Sequence, residues 1–298
     1  MTFEVLFVLA MTSLGAATVN GALGYGYSSI SVPIALLVVA GRVLNPALVI
    51  IEVVVNLYAL VINWRNVHRV ARRVLPLSIG LVPGVIVGAM LLGTVSTTNA
   101  KLVAYSVLLP LILVQASGLR FPLKNERTAS VPLGAGVGVL YGLTTISGPP
   151  LALFWNNQGL AKDDFKVALA LIRSIESLCA LAAYAYLGLL TTESASLLPW
   201  LAPGVLIGFP LGHWLIRKVG VETFRRVCMS FDAYLVSFGL ARVLTTTGIA
   251  PALAYQLLVA TALIDAKMLW TYFRGAARRR SSPGLETPAL ESPIRVSA

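Results

Sequence analysis

The sequence predicts an all-α polytopic membrane protein. It reads as an inverted-topology duplication with a broken or re-entrant helix pair in each half. Three observations point there. The chain of 298 residues is 57% hydrophobic and 12% charged, with mean hydropathy +0.82, whereas soluble domains carry about 25% charged residues. Such a composition belongs to chains that cross a bilayer. One stretch occurs twice without a gap: Tyr25-Gly26-Tyr27-Ser28-Ser29-Ile30-Ser31-Val32-Pro33 aligns on Tyr141-Gly142-Leu143-Thr144-Thr145-Ile146-Ser147-Gly148-Pro149. Finally, the basic residues gather in particular loops, and the pattern reverses between the halves.

Apolar segments run over 3–22, 31–40, 44–64, 75–93, 101–118, 131–143, 149–158, 165–187, 198–216, 224–243 and 251–271. About seven serve as full spans, at about 1.5 Å per residue across about 30 Å of hydrocarbon. Segments 31–40, 131–143 and 149–158 are too short to cross unaided, and they flank the two copies of the repeated stretch. Each copy is therefore expected to sit in a hairpin that dips into the membrane and returns. Segment 3–22 is long enough to cross by itself, so the N-terminal hairpin rests on less. Residues 1–17 resemble a signal peptide in their apolar run, but they lack a basic start and carry Glu4. They are expected to be retained.

A second pair of landmarks supports the duplication. Pro83-Gly84-Val85-Ile86-Val87-Gly88 parallels Pro203-Gly204-Val205-Leu206-Ile207-Gly208. Glycines four apart let helices approach closely in lipid, so helix packing is their expected role. The resulting division is a first repeat at 1–118, a cytoplasmic linker at 119–130 and a second repeat at 131–243. An extra C-terminal span follows at 244–274, then a polar, Pro- and Ser-containing tail at 275–298 expected to be disordered.

Charge sets the expected orientation. Arg65, Arg69, Arg72 and Arg73 share one loop; Arg120, Lys124 and Arg127 share another. Lys162, Lys166, Arg217, Lys218, Arg225, Arg226 and the arginines from Arg274 to Arg280 continue the series. The remaining connections hold only Arg42, Lys101 and Arg242. Positive-inside logic makes the first set cytoplasmic, together with the C-terminus. The basic loop 65–73 then corresponds to 188–198, which has no basic residue, and the sparsely charged 93–100 corresponds to the basic 217–226. An odd number of spans per repeat inverts the second copy. Inverted repeats with broken helices place a site where the repeats meet.

Candidate binding residues follow from the breaks. Non-helical backbone inside a bilayer must be buried in protein or line a cavity. The half-helix N-termini are expected near Ser31–Ile34 and Ser147–Leu151, with Pro33, Pro149 and Pro150 in first turns. Helix N-termini favour anions. Ser28, Ser29, Ser31, Thr144, Thr145 and Ser147 add hydroxyl donors, and Gly148 lies within the second terminus. The plainer reading is that these hydroxyls only cap the half-helices.

Ionisable residues within spans are costly in lipid. Arg173 either holds an anion or is neutralised by Glu176 three residues on. Glu52, with Asn56 one turn away, and Asp232, with no local partner, are candidate proton carriers. Trp64, Trp200 and Trp270 lie near span ends and fit an aromatic belt; Trp155 either packs or lines the pathway. The sequence carries no phosphate-binding loop, nucleophile elbow or zinc-protease motif. Its two histidines and two separated cysteines support no metal or redox site. No cofactor, enzymatic activity or nucleic-acid partner is expected.

A small-residue stretch ending in Pro, once per half (Gly24–Pro33 and Tyr141–Pro150), followed by a Pro-Gly-xxx-Gly helix, resembles the TauE/SafE sulfite exporter family, also called toluene sulfonate uptake permeases. The resemblance covers roughly residues 5–245. It implies a bacterial inner-membrane carrier of sulfite, sulfonates or related organic anions, with its site at the broken helices. It departs in one respect. Tyr27, Ser28, Ser29, Thr144 and Thr145 stand where glycines are common, and Tyr25, Tyr27, Ser29 and Thr145 are expected to set substrate preference. The expected function is secondary transport of a small anion by alternating access, with protons as a coupling ion. A passive anion channel and a non-transporting scaffold are the alternatives. A homodimer is compatible with the sequence.

Overall fold

Long apolar runs interrupted by Gly and Pro favour helices, because a helix satisfies its own backbone groups where no water can. The computed structural model describes residues 2–117, 125–248 and 251–281, and every regular element among them is helical. The first half contains α1 (Phe3–Leu23), α2 (Tyr27–Ala35), α3 (Gly41–Ile62), α4 (Val67–Thr94) and α5 (Thr97–Ser117), with a 3₁₀ turn at Trp64–Asn66. The second contains α6 (Glu126–Thr144), α7 (Gly148–Asn157), α8 (Lys162–Tyr186), the short α9 (Thr192–Ser196), α10 (Leu198–Val219) and α11 (Val221–Thr247). A final helix, α12, runs over Pro251–Ser281.

Eight of the described helices are long and apolar enough to cross a membrane. The chain is a multi-pass membrane protein. The sequence suggested about seven full spans; the additional one is α1, expected as the first arm of an N-terminal hairpin but long and apolar enough to cross by itself. Helices α2 and α7, with 9 and 10 residues, cannot cross. Helix α6 begins at Glu126, inside the expected linker, because Glu126 is fixed by Arg73 through two hydrogen bonds of 2.9 and 2.6 Å. Residues 118–124 of that linker lie outside the described residues. Helix α12 continues past Gly275, and residues 282–298 of the tail lie outside the described residues.

Two glycine seams hold the halves together. Helix α4 packs along α6, and α1 packs along α10, in each case parallel. A methyl group on Gly80, Gly84 or Gly88 would overlap the carbonyl oxygen of Val131, Ala135 or Val139. One on Gly208 or Gly212 would overlap that of Leu14 or Thr18. Packing is thus the role of these glycines, as their spacing suggested. Each seam joins a helix of one half to a helix of the other. The pairs α3–α8 and α5–α11 also cross between halves.

Contacts at the helix ends define two faces. Arg73–Glu126, Arg226 Nη1 to the Ala116 carbonyl (3.3 Å) and Arg226 over the Tyr272 ring (4.6 Å) gather the starts of α4, α6 and α11 with the ends of α5 and α12. At the other face Lys101 Nζ donates to the Leu36 carbonyl at 2.6 Å, and Arg42 donates to those of Leu92 and Gly93 at 3.2 and 2.6 Å. There the starts of α3 and α5 meet the ends of α2 and α4.

Candidate functional site

The second break is built by complete accounting of backbone groups. The last four carbonyls of a helix have no intrahelical partner. In α6, the Tyr141 carbonyl accepts from the Thr145 N–H at 2.6 Å. The carbonyls of Gly142 and Leu143 accept from Tyr184 Oη at 2.7 Å and Asn45 Nδ2 at 2.8 Å. That of Thr144 accepts from Thr145 Oγ1 at 2.6 Å. Thr145 has φ +60°, the only non-glycine with positive φ among the described residues. A β-branched residue is costly there, and such strain gathers at functional sites. Helix α7 then starts at Gly148, with Ser147 as N-cap and Pro149 and Pro150 in its first turn, where the sequence placed them.

The first break is built differently, and here the structure corrects the expectation. Helix α2 begins at Tyr27, capped by Gly26, one turn before the expected Ser31. Gly24 (φ +82°) and Gly26 (φ +106°) allow the early start, because only glycine takes these angles without strain. Pro33 therefore lies inside the helix and Ser31 one turn along it. The free N–H donors precede Ile30, whose N–H makes the first helical bond, to the Gly26 carbonyl at 3.2 Å. They belong to Tyr27, Ser28 and Ser29. Pro149 and Pro150 leave α7 with Gly148 alone in the corresponding positions.

The two breaks touch. A Cβ on Gly148 would lie 3.4 Å from the Gly26 nitrogen and 3.5 Å from Tyr25 Cβ. Tyr25, Tyr27, Ser28, Ser29, Ser31, Thr144, Thr145 and Ser147 are all buried. The hydroxyls are not equivalent. Those of Ser29, Ser31, Thr144 and Thr145 donate to carbonyls of their own segments, the local alternative open to such residues. Ser147 Oγ instead donates to Glu176 Oε1 on α8. Tyr25 Oη accepts from Gln115 Nε2 at 2.8 Å, and its ring meets Phe165 edge-on. Tyr27 Oη turns the other way, to Ser13 Oγ at 3.0 Å.

Beside the breaks lies a buried charge cluster. Arg173 Nη2 is 2.7 Å from Glu52 Oε1, and its Nη1 donates to Asn20 Oδ1 at 3.2 Å. Glu52 Oε2 accepts from Tyr141 Oη at 2.7 Å. Arg173 Nε is 3.7 Å from Glu176 Oε1. Arg173, Glu52 and Glu176 are each at most 1% exposed. Arg173 thus faces two carboxylates, one from each half, rather than Glu176 alone. Arg173 Nε and Glu176 Oε2 have no hydrogen-bond partner among the described residues. Asp232 is separate. It is buried on α11 beside Ser29, and neither of its oxygens has a hydrogen bond of good geometry.

Sequence reasoning missed Asn20, the Tyr141 hydroxyl and the contact between Ser147 and Glu176. Asn20 was visible as a lone amide in an apolar run. Tyr141 was visible as the first residue of the second motif. Glu52 and Arg173, opposite charges on corresponding helices, could have been paired by the cost of leaving either alone in hydrocarbon. Among the described residues no group of acidic, His or Cys side chains is arranged to hold a metal.

A family model described as Sulfite exporter TauE/SafE matches residues 9–237. Comparison with curated proteins and with solved structures gave no match.

Proposed function

Because the chain belongs to the TauE/SafE sulfite exporter family, we propose that it is a secondary transporter of sulfite, a sulfonate or a related small anion, working by alternating access where its two repeats meet. The family is one of transporters, which fits a chain that is not an enzyme. The observation that carries the reading is the contact of the two half-helix starts, Gly148 against Tyr25 and Gly26, beside Arg173. The N–H groups of Tyr27, Ser28, Ser29 and Gly148 supply donors for oxyanion oxygens, and the aligned peptide dipoles favour negative charge there.

Arg173 gives the site its coupling. Its charge is balanced by Glu52 and Glu176. An arriving anion competes with these carboxylates for the guanidinium. A carboxylate released from Arg173 in a buried site takes up a proton, because an unpaired buried charge is costly. The anion and a proton then move together. Asp232, beside the first turn of α2, is a second proton carrier. The arrangement of the ends supports inverted repeats. Helix α1 starts beside α10, with Phe3 and Trp200 in ring contact, whereas α6 starts beside α4 at Arg73. The glycine seams between halves are the surfaces on which the repeats slide. The clustered arginines of the Arg65–Arg73 loop and of the C-terminus support a cytoplasmic position for both, and membership of the family supports a bacterial inner membrane.

The test is sulfite flux in proteoliposomes. A carrier shows saturable uptake that is accelerated by sulfite on the opposite side, and accumulation that responds to a pH gradient. Linear flux without counterflow would indicate a passive channel. An absence of flux for sulfite and sulfonates would contradict the reading.

A further inference from the structure

Arg42, Lys101 and Arg242 are the basic residues of the sparsely charged connections. Nothing in the chain order brings them together, since they start α3, start α5 and close α11. The fold gathers them at one end of the bundle. Lys101 and Arg242 line one recess of about 160 Å³. Lys101 and Arg42 line a second, narrower one of about 20 Å³, the room of a water molecule, whose lining also includes Asn45 of α3 and Thr144 at the end of α6. Lys101 and Leu36 belong to both.

We propose that this is a second anion site, a vestibule that collects a small oxyanion and passes it toward Thr144. The inference rests on the reading of the chain as an anion transporter. Three observations support it. No acidic residue lines either recess, and none of the three cations makes an ion pair with a described residue. Arg242 is exposed, and it lies close enough to Lys101 for the two like charges to repel. An anion between them relieves that repulsion. Last, Tyr105 lines the larger recess, is 1% exposed, and its hydroxyl has no hydrogen-bond partner among the described residues. Its ring is held against Gly239, where an added Cβ would lie 2.8 Å from Tyr105 Cε2.

Helix capping accounts for part of this cluster. Lys101 and Arg42 donate to carbonyls at the ends of α2 and α4, a favourable place for a cation. Capping leaves Arg242 and the Tyr105 hydroxyl without a role. It also leaves donors on the Lys101 ammonium, which has three. Together these groups suit a sulfite-like oxyanion, with a guanidinium, an ammonium and a phenol around one small space.

The test uses radiolabelled sulfite binding to the purified full chain at low and high ionic strength. Exposed charges are strongly screened by salt, whereas a buried site is not. The wild type is expected to bind in two phases, one of them lost at high ionic strength. Lys101→Gln with Arg242→Gln should remove that phase and keep the salt-insensitive one. In flux assays the double variant should raise KM about tenfold from the vestibule side only, the scale of charge steering. Arg242→Gln alone, which breaks no backbone contact, should weaken the same phase if the double variant does not fold. A salt-sensitive phase that survives in both variants, or that is missing from the wild type, would overturn the site. Loss of wild-type counterflow with this phase intact would overturn the transporter reading and uphold the site.

Discussion

The two copies of the motif share Tyr, Gly, Ile, Ser and Pro at corresponding positions, yet the chain breaks at different places within them. In the first copy the break lies at Gly24–Gly26, ahead of most of the motif. In the second it lies at Thr145–Ser147, within it. The glycine that ends the first break, Gly26, corresponds to Gly142. That glycine stays helical and packs against α4, where its Cβ would overlap the Val85 carbonyl. A glycine can serve as a hinge or as a packing surface, and neighbouring helices decide which. The first break consequently offers three free N–H groups and relaxed glycines. The second offers one, with a strained threonine and a serine bound to a carboxylate.

The halves also differ in charge, and Arg173 is where the largest effect is expected. The first half supplies Glu52 and the second supplies Arg173 with Glu176. Arg173→Gln should reduce sulfite flux about 100-fold, the scale of removing one partner from a buried ion pair. Arg173→Lys should restore part of it, because the charge returns without the planar fork. If Arg173→Gln transports normally, the cluster is structural and the difference between the halves has no functional meaning.

The two seams, each shared between the halves, should respond alike, which sharpens the comparison by contrast. Gly84→Val and Gly208→Val each force a branched side chain against a facing backbone. Each should cost about 1–3 kcal/mol, measured as a lower melting temperature in detergent. A variant that melts with the wild type would show that its seam opens freely. The smallest effect is at the breaks themselves. Gly26→Ala should destabilise by about 1–2 kcal/mol, because φ there is left-handed. Thr145→Gly should change stability by less than about 1 kcal/mol, since relieved strain is offset by glycine's entropy. Equal losses at both positions would mean that the breaks are equivalent after all.

Much of the fold was legible in the sequence. Hydropathy placed the helices, and the pairs of Gly at four-residue spacing marked seams that do pack by backbone contact. The helix partners were not legible, because spacing shows that a face is small but not which helix meets it. The start of α2 was misplaced for a related reason. Pro33 suggested a first turn, but Gly24 and Gly26 together allow the helix to begin earlier, and Pro33 is accommodated inside it. Gly148 lies against Tyr25 and Gly26, and Ser147 reaches Glu176 beside Arg173, whereas Asp232 stands apart from that cluster. The sequence could not say that Ser29, Ser31, Thr144 and Thr145 bond to their own backbone while Ser147 reaches Glu176. That depends on side-chain direction at a break, which no periodicity encodes.

Ser147 and Ser31 occupy the same motif position, yet one caps α7 and binds a carboxylate while the other lies inside α2. Sulfite counterflow in proteoliposomes should therefore fall about tenfold in Ser147→Ala, the loss of a hydrogen bond to a charged group. It should change less than about twofold in Ser31→Ala, where a local back-bond alone is lost. Equal losses in the two variants, or undiminished counterflow in Ser147→Ala, would contradict a site at the second break.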